Sequence, residues 1–276
     1  MDTIIVATDL SDRSEPALER ALNLAAANGA ACHVVSVVDD ALPIELSDQL
    51  AEGIEERIAK ALKGRSSSAK TEISVLRGDV AEMLIRFASM QDADLIVLGL
   101  HRRRMFLDNF RETTMTRIVA ASRTPVLLVK DGGADDYTNA LVPVSFSPSC
   151  AGAIRAARAV AQDAKIATFH ALHVPFQGLT GGSDSDLARA VRIEAEDARD
   201  AWLDKQALAG EIDNPEIVTG AFRIVLDQKM QEAQPDVLAI GAHTRSGLAV
   251  QKLGGFAAEL VRDPPVDLLI SPLPRG

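Results

Sequence analysis

The chain has 276 residues, of which 47% are hydrophobic, 25% charged and only 4% aromatic, with a formal net charge of −10. This is the balance of a soluble globular protein with room for two domains of ordinary size. The acidity argues against a broad nucleic-acid surface, the aromatic content is too low for a base-stacking platform, and no apolar run approaches the roughly 18 residues that span a bilayer.

The segment TIIVAT (3–8) is a short β-branched run and predicts a buried strand. DLSDRSEPALERALNLAAANG follows, with Ser11 or Ser14 as the cap, Pro16 in the first turn and Gly29 as the stop, and predicts a helix. ACHVVSVVD (31–39) predicts a second strand, and the apolar spacing of 44–64 a helix ending at Gly64. KTEISVLRG (70–78) alternates like a strand. Residues 79–92 predict a helix, ADLIVLG a fourth strand, 113–123 a short helix and TPVLLVK (124–130) a fifth strand. Strands alternating with helices imply parallel pairing through right-handed crossovers, with helices on both faces.

DGGADDYTN (131–139) reads as a linker, and the order then restarts. ALVPVSFSPSCAGAIRAARAVAQD is strand then helix, KIATFHALHVP a strand, and SDSDLARAVRIEAEDARDAWLDKQALAG a long helix. PEIVTG, AFRIVLDQKMQEAQ, DVLAIG, GFAAELVRD and PVDLLISP complete the second set. The parallel extends to single residues. Asp94, Gly99 and His101 match Asp236, Gly241 and His243, all 142 positions apart. The chain is read as an internal duplication of a unit of about 135 residues, with domains at 1–132 and 138–276.

In open α/β sheets, ligands sit beyond the carboxyl ends of the strands, where the strand order reverses. Strand one ends at ATDLS, which puts Asp9 at that crevice. Its carboxylate can accept a hydrogen bond from an adenine amine or a ribose hydroxyl, or it can simply form an Asx turn or a helix cap. A phosphate-binding loop after strand four would need glycines, then a helix N-terminus with exposed N–H groups. The second copy reads GAHTRSGLAVQKLGGFAAEL, with Gly241, Gly247, Gly254 and Gly255. The first reads GLHRRRMFLDNFRETTMTRIV, with Gly99 followed by Glu112, Thr113 and Thr114.

The strand-end Asp9, the GLH and GAH turns, the TTMTRIVAASRTPVLLV segment and the five-strand order resemble the universal stress protein family, twice over nearly the whole chain. The resemblance implies two tandem copies of a five-stranded parallel open α/β sandwich, the Rossmann-like fold of the adenine nucleotide alpha hydrolases. It also implies ATP as the ligand, in members carrying Gly-x2-Gly-x9-Gly-Ser/Thr after strand four. Carried over by position, it assigns nucleotide contacts to Asp9, Val37, Gly99, Thr113 and Thr114 in the first copy. In the second it assigns them to Val174, Gly241, Gly254 and Gly255. Both motifs depart from the family pattern. The first copy has Arg102 and Glu112 for the second and third glycines. The second has Thr244 for the second glycine, Gly255 for the terminal hydroxyl residue and Ser145 for the aspartate. Glu112 would set negative charge near phosphates; Arg102, Arg103 and Arg104 could offset it by pairing with phosphate oxygens, although the arginine run reads first as a solvated loop.

His101 and His243 lack cysteines or carboxylates at metal-ligand spacing, and they read as turn histidines bonded to local backbone, as do His170 and His173. TGGSDS (180–185) nearly spells the pyrophosphate loop of ATP pyrophosphatases, but it follows strand two instead of strand one. It reads as a connector with a helix cap at Ser183 or Ser185. Cys32 and Cys150 read as packing residues in a reducing compartment. MDTIIVATDLSD shows no basic segment or cleavage site. The expectation is a cytoplasmic, non-catalytic stress-response protein with weak or lost adenine-nucleotide binding and no nucleic-acid, membrane or metal partner. The alternatives are an ATP-hydrolysing or pyrophosphatase-type enzyme and a nucleotide-free interaction module. The apolar fifth strands PVLLV and VDLLI are expected to pair as an intramolecular pseudo-dimer, since exposed apolar edges are usually covered, and further association into a homodimer is also expected.

Overall fold

The structure, a computed structural model, describes residues 1–38, 44–65, 67–100, 114–130, 136–174, 185–242 and 255–272. The first sequence copy runs β1 (Thr3–Ala7), α1 (Glu15–Asn28), β2 (Ala31–Val38), α2 (Ile44–Lys63), β3 (Lys70–Arg77), α3 (Val80–Met90), β4 (Leu95–Gly99), α4 (Thr114–Ala121) and β5 (Val126–Val129). The second runs β6 (Asn139–Pro143), α5 (Pro148–Val160), β7 (Lys165–Leu172), α6 (Asp186–Lys205), β8 (Glu216–Thr219), α7 (Phe222–Ala233), β9 (Val237–Gly241), α8 (Gly255–Arg262) and β10 (Asp267–Ser271). The chain forms two compact units, Met1–Asp136 with Ala249–Ile270, and Tyr137–Leu248 with Ser271–Gly276. The last helix and strand of the second copy, α8 and β10, thus group with the first unit.

In the first unit β1 lies between β2 and β4, with β3 beyond β2 and β5 beyond β4, all parallel. β10 continues the sheet past β5 in antiparallel sense, with Leu268 opposite Leu128, Leu269 opposite Leu127 and Ile270 opposite Val126. In the second unit β6 lies between β7 and β9, with β8 beyond β7, again parallel. The reversal of strand order therefore falls at β1 in one unit and at β6 in the other. There the connections leaving neighbouring strands run to opposite faces of the sheet, the place where a doubly wound sheet has its crevice.

Local chemistry explains the elements. Pro16 sits in the first turn of α1, and Gly29 ends the helix in the left-handed conformation at φ 64°. Ala17, Ala21 and Ala25 are buried, so α1 presents small side chains to the sheet and lies close against it. The sequence reading offered Ser11 or Ser14 as a side-chain cap. Ser14 is the N-cap residue, but its hydroxyl makes no cap bond, because it is bonded to Thr8 and to the Ser11 carbonyl instead. β3 does not alternate as read: its outer three residues are exposed and the next four half-buried. It pairs with β2 alone among the described strands, so its pattern is that of an edge strand. On the helical side α3 and α4 pack together, and Arg117 donates two hydrogen bonds to the Asp79 carboxylate at the start of α3, at 2.8 and 3.0 Å.

The repeated aspartates that open strand four have the same task in both copies. The Asp94 carboxylate accepts the backbone N–H groups of Asp2 and Thr3, at 2.6 and 3.1 Å, while its own N–H donates to Thr3 O. The Asp236 carboxylate accepts from the N–H groups of Thr138 and Asn139 and from the Thr138 hydroxyl, at 2.6, 2.9 and 2.7 Å. Each carboxylate ties down the start of the central strand, at the end of the sheet opposite the crevice, where the last N–H groups have no partner in the ladder. Asp94→Ala and Asp236→Ala are each expected to lower stability by about 1 kcal/mol. Urea unfolding of the two single variants and the double variant checks this, and the two losses should add.

Candidate functional site

The crevice of the first unit begins at the end of β1. Leu10 adopts a left-handed φ of 59°, which swings the chain out of the strand. The Thr8 hydroxyl accepts the Leu10 N–H at 3.1 Å and is bonded to the Ser14 hydroxyl at 2.9 Å. The exposed Asp9 folds back on the loop: its Oδ1 accepts the N–H and the hydroxyl of Ser11, at 3.0 and 2.5 Å. This is an Asx turn closed by a serine. Partial burial pushes the Asp9 carboxyl up, but the Ser11 side-chain and backbone bonds, with help from Ser14, outweigh it and hold the group below its ordinary value.

Gly99, at the end of β4, faces this loop. A Cβ there would stand 2.4 Å from Arg13 O and 3.2 Å from Ser14 Cα. Only glycine allows strand four to pass so close to the chain entering α1. The second copy repeats the arrangement. A Cβ at Gly241 would lie 2.6 Å from Ser149 Oγ and 2.8 Å from the Ser149 carbonyl carbon. Both glycines assigned to the nucleotide loop thus have a packing reason of their own, independent of any ligand.

The second crevice keeps the backbone and changes the chemistry. Phe146 adopts a φ of 57°, matching Leu10. Ser145 stands where the first copy has Asp9, so this loop has no carboxylate. Its polar groups converge on the buried Cys150: Sγ accepts the Ser145 N–H at 3.3 Å and the Ser147 hydroxyl at 3.2 Å. Ser147 and Ser149 are bonded through their hydroxyls at 3.0 Å, and the Trp202 indole donates to Ser147 O at 3.0 Å. Phe146 stacks on His170 with ring centroids 4.5 Å apart, and Trp202 lies across it at 5.7 Å. His170 lies within β7, and its Nδ1 is bonded at 2.8 Å to Val144 O, 26 residues away just past the neighbouring strand β6, so it is not the turn histidine bonded to local backbone that the sequence suggests; His173 is exposed. In the first copy the other cysteine, Cys32, is buried in β2, and burial pushes its thiol up to about 12, so it is inert as a nucleophile.

Strand register corrects one equivalence. Thr8 N–H donates to Val35 O and Val144 N–H to Phe169 O; Gly78 N–H donates to Val38 O and Gly220 N–H to Leu172 O. Val38 therefore corresponds to Leu172, and the counterpart of Val37 is Ala171, not Val174. Val174 lies beyond β7 and is buried in an apolar cluster with Leu172, Ala188, Ala195 and Ile217. That placement makes it a core residue under α6. Val37 is half-buried and lies opposite Leu76.

Thr114 and Gly255 are exposed and open α4 and α8, and among the described residues beyond its chain neighbours and its own helix backbone no atom lies within 4 Å of a Cβ built on Gly255. Thr113 and Gly254 lie outside the described residues, as do His101, His243, Arg102, Arg103, Arg104, Glu112, Thr244 and Gly247. Of TGGSDS only Ser185 is described. Its hydroxyl accepts the Ala188 N–H at 3.2 Å and caps α6. Among the described residues no group of three His, Cys, Asp or Glu side chains is placed to hold a metal, and no helix is long and apolar enough to cross a membrane. The serine–cysteine cluster escaped the sequence reading. Its signal was the run SFSPSC, three serines around one cysteine at a helix start.

In each unit the strand order reverses, at β1 in one and at β6 in the other, with a glycine-tight helix start at each reversal, and this is the architecture of a duplicated Rossmann-like α/β protein. The family model for the universal stress proteins matches residues 1–130 and again 136–272, and the chain belongs to that family. It is 30% identical over 109 residues to universal stress protein A homolog 1 of Coxiella burnetii, covering 36% of this chain and 75% of that one. It is 31% identical over 141 residues to a universal stress protein of Methanocaldococcus jannaschii, covering 46% and 81%. Among solved structures, a functionally unknown protein from Pseudomonas aeruginosa matches with a TM-score of 0.69 at 15% identity, covering 99% of this chain and 93% of the other. A universal stress protein from Archaeoglobus fulgidus matches with a TM-score of 0.68 at 17% identity, covering 99% and 97%. These last two likenesses are likenesses of fold.

Gly99→Ala and Gly241→Ala should each lower stability by about 1–3 kcal/mol through overpacking, with or without nucleotide, as read by chemical denaturation. Asp9 makes a pH-dependent contribution. Its folded pKa is depressed, so the stability it adds is present above the ordinary carboxylate range near pH 4 and is lost as pH falls through the folded value. Asp9→Asn should therefore flatten the acid limb of the stability curve, measured by thermal melts from neutral to acid pH.

Proposed function

We propose that this universal stress protein is a non-catalytic, cytoplasmic regulator in which adenine-nucleotide binding is weak in the first copy and lost in the second. The observation that carries the reading is the state of the two strand-one loops. The Asp9 carboxylate is already engaged by Ser11, so a nucleotide has to compete with an Asx turn for it. Ser145 brings no carboxylate, and the polar groups around it are directed at Cys150. ATP is the proposed ligand of the first copy, with Asp9, Val37, Gly99, Thr113 and Thr114 as its contacts. The second copy keeps Gly241, Gly254 and Gly255 without the carboxylate. The proposed domains are 1–132 and 138–276, associated through their fifth strands. Against an enzyme of the pyrophosphatase type stands the role of Ser185, which ends TGGSDS as an ordinary helix cap.

Calorimetric titration of the full chain with ATP and magnesium tests this. The expected dissociation constant is weaker than about 1 μM, a binding free energy of less than about 8 kcal/mol. Asp9→Asn should remove the residual heat and Ser145→Ala should leave it unchanged. Sub-micromolar affinity, or heat that survives Asp9→Asn, would overturn the assignment.

A further inference from the structure

Resting on the reading of the first copy as the nucleotide-binding one, we propose that Asp79 and Arg117 are positioning residues of its crevice. Their ion pair fixes the opening turn of α4, so that the free backbone N–H groups of that turn meet the phosphates of a bound nucleotide. β2, β3 and β4 all run parallel to β1, so the helices that follow β3 and β4 both start at the carboxyl end of the sheet, where the crevice lies. Asp79 is the N-cap of α3, and its Oδ1 accepts the Glu82 N–H at 3.0 Å. Arg117 lies in the first turn of α4 and donates from Nη1 to Asp79 Oδ2 at 2.8 Å and from Nη2 to Oδ1 at 3.0 Å. Two bonds from one planar guanidinium fix direction as well as distance. One carboxylate thus sets the start of both helices. The Arg117 guanidinium and the Glu82 N–H hold the Asp79 carboxyl below its ordinary value, so the pair is charged throughout the neutral range.

The two copies separate what the scaffold needs from what the crevice needs. The glycine that ends strand four, the left-handed residue after strand one and the aspartate that precedes strand four occur in both. The ion pair occurs in one. Counting 142 positions on, the counterpart of Asp79 is Ala221, the N-cap residue of α7, which makes no side-chain cap bond. The counterpart of Arg117 is Glu259. The same step carries the buried Ile118 and Val119 of α4 onto the buried Leu260 and Val261 of α8, which supports the alignment. The copy with Ser145 in place of Asp9 therefore has neither residue of this pair, and α7 and α8 form without it. With side chains 44% and 43% exposed, the pair contributes little to stability. A contact that the scaffold does without, and that accompanies the crevice carboxylate, belongs with the chemistry of the crevice. A small tilt of α4 would redirect all its first-turn N–H groups at once, so holding that turn still is a gain that shows when an anion binds.

NMR titration of the full chain with ATP and with adenosine tests the proposal. Asp79→Asn keeps an acceptor for the Glu82 N–H and discards the charge, while Arg117→Lys keeps the charge and discards the planar fork. Each is expected to weaken ATP binding about fivefold and to leave adenosine binding unchanged, because only the phosphates face α4. Arg117 has a further interaction of its own, so the double variant isolates the pair: it should lose no more than either single variant. The melting temperatures of all three should stay within about 2 °C of the unaltered chain. Equal losses for the two ligands, additive losses in the double variant, a larger drop in melting temperature, or ATP binding that ignores or gains from Asp79→Asn would overturn the positioning role alone. An unaltered chain that shows no response to ATP would overturn the nucleotide reading of the first copy, and the positioning role with it.

Discussion

A four-residue apolar strand with one unpaired edge is the constraint from which much of this molecule follows. Val126, Leu127, Leu128 and Val129 are all buried. The outer backbone edge of such a strand calls for a covering partner, because a bare edge of this composition would offer its N–H and C=O groups to any passing strand. β10 supplies that cover in antiparallel register. Its arrival brings Asp267 over Arg20 and Lys130 and draws α8 and β10 into the first compact unit. The boundary that matters physically is set by where a sheet edge finds its partner.

Within that frame the two crevices show how one backbone hosts different chemistry. The left-handed residue after strand one, the glycine that ends strand four and the aspartate that ties down the central strand recur in both copies. Each of these answers a geometrical demand that side-chain chemistry at the crevice does not alter. The residues that face the crevice are released from that demand and have diverged. The first copy retains a carboxylate held in a serine-closed turn. The second has a hydroxyl and thiol cluster beneath a Phe146–His170–Trp202 packing group. Conserving the scaffold while the contacts drift is what is expected when function resides in loops that a rigid sheet carries.

The glycines illustrate why a motif cannot be read as a ligand site without coordinates. Gly99 and Gly241 stand at the first position of a phosphate-binding pattern, yet both are required by the approach of the chain that enters the following helix layer. Val174 teaches the same lesson through register. It resembles Val37 in type and rough position, but the hydrogen bonds of β7 place it three residues too far along, in the core beneath α6. Asp94 and Asp236 were visible as a repeat, but their partners are backbone N–H groups more than 90 residues away in sequence.

The alternation of short β-branched runs with amphipathic stretches, the Gly and Pro punctuation and the 142-position repeat were sufficient to determine the fold class, the duplication and the order of elements. These depend on local periodicity and on the burial of apolar faces, and both are written residue by residue. Only the tertiary structure decided which strand covers β5, which residue stands opposite which, and whether a polar side chain at the crevice points outward or bonds to its own loop. Asp9 is the clearest case. Its type and position permitted either a ligand contact or an Asx turn, and the choice rests on a left-handed Leu10 and a Ser11 hydroxyl at 2.5 Å. A difference of that size comes from the packing of α1 against β4 and has no signature in composition or spacing.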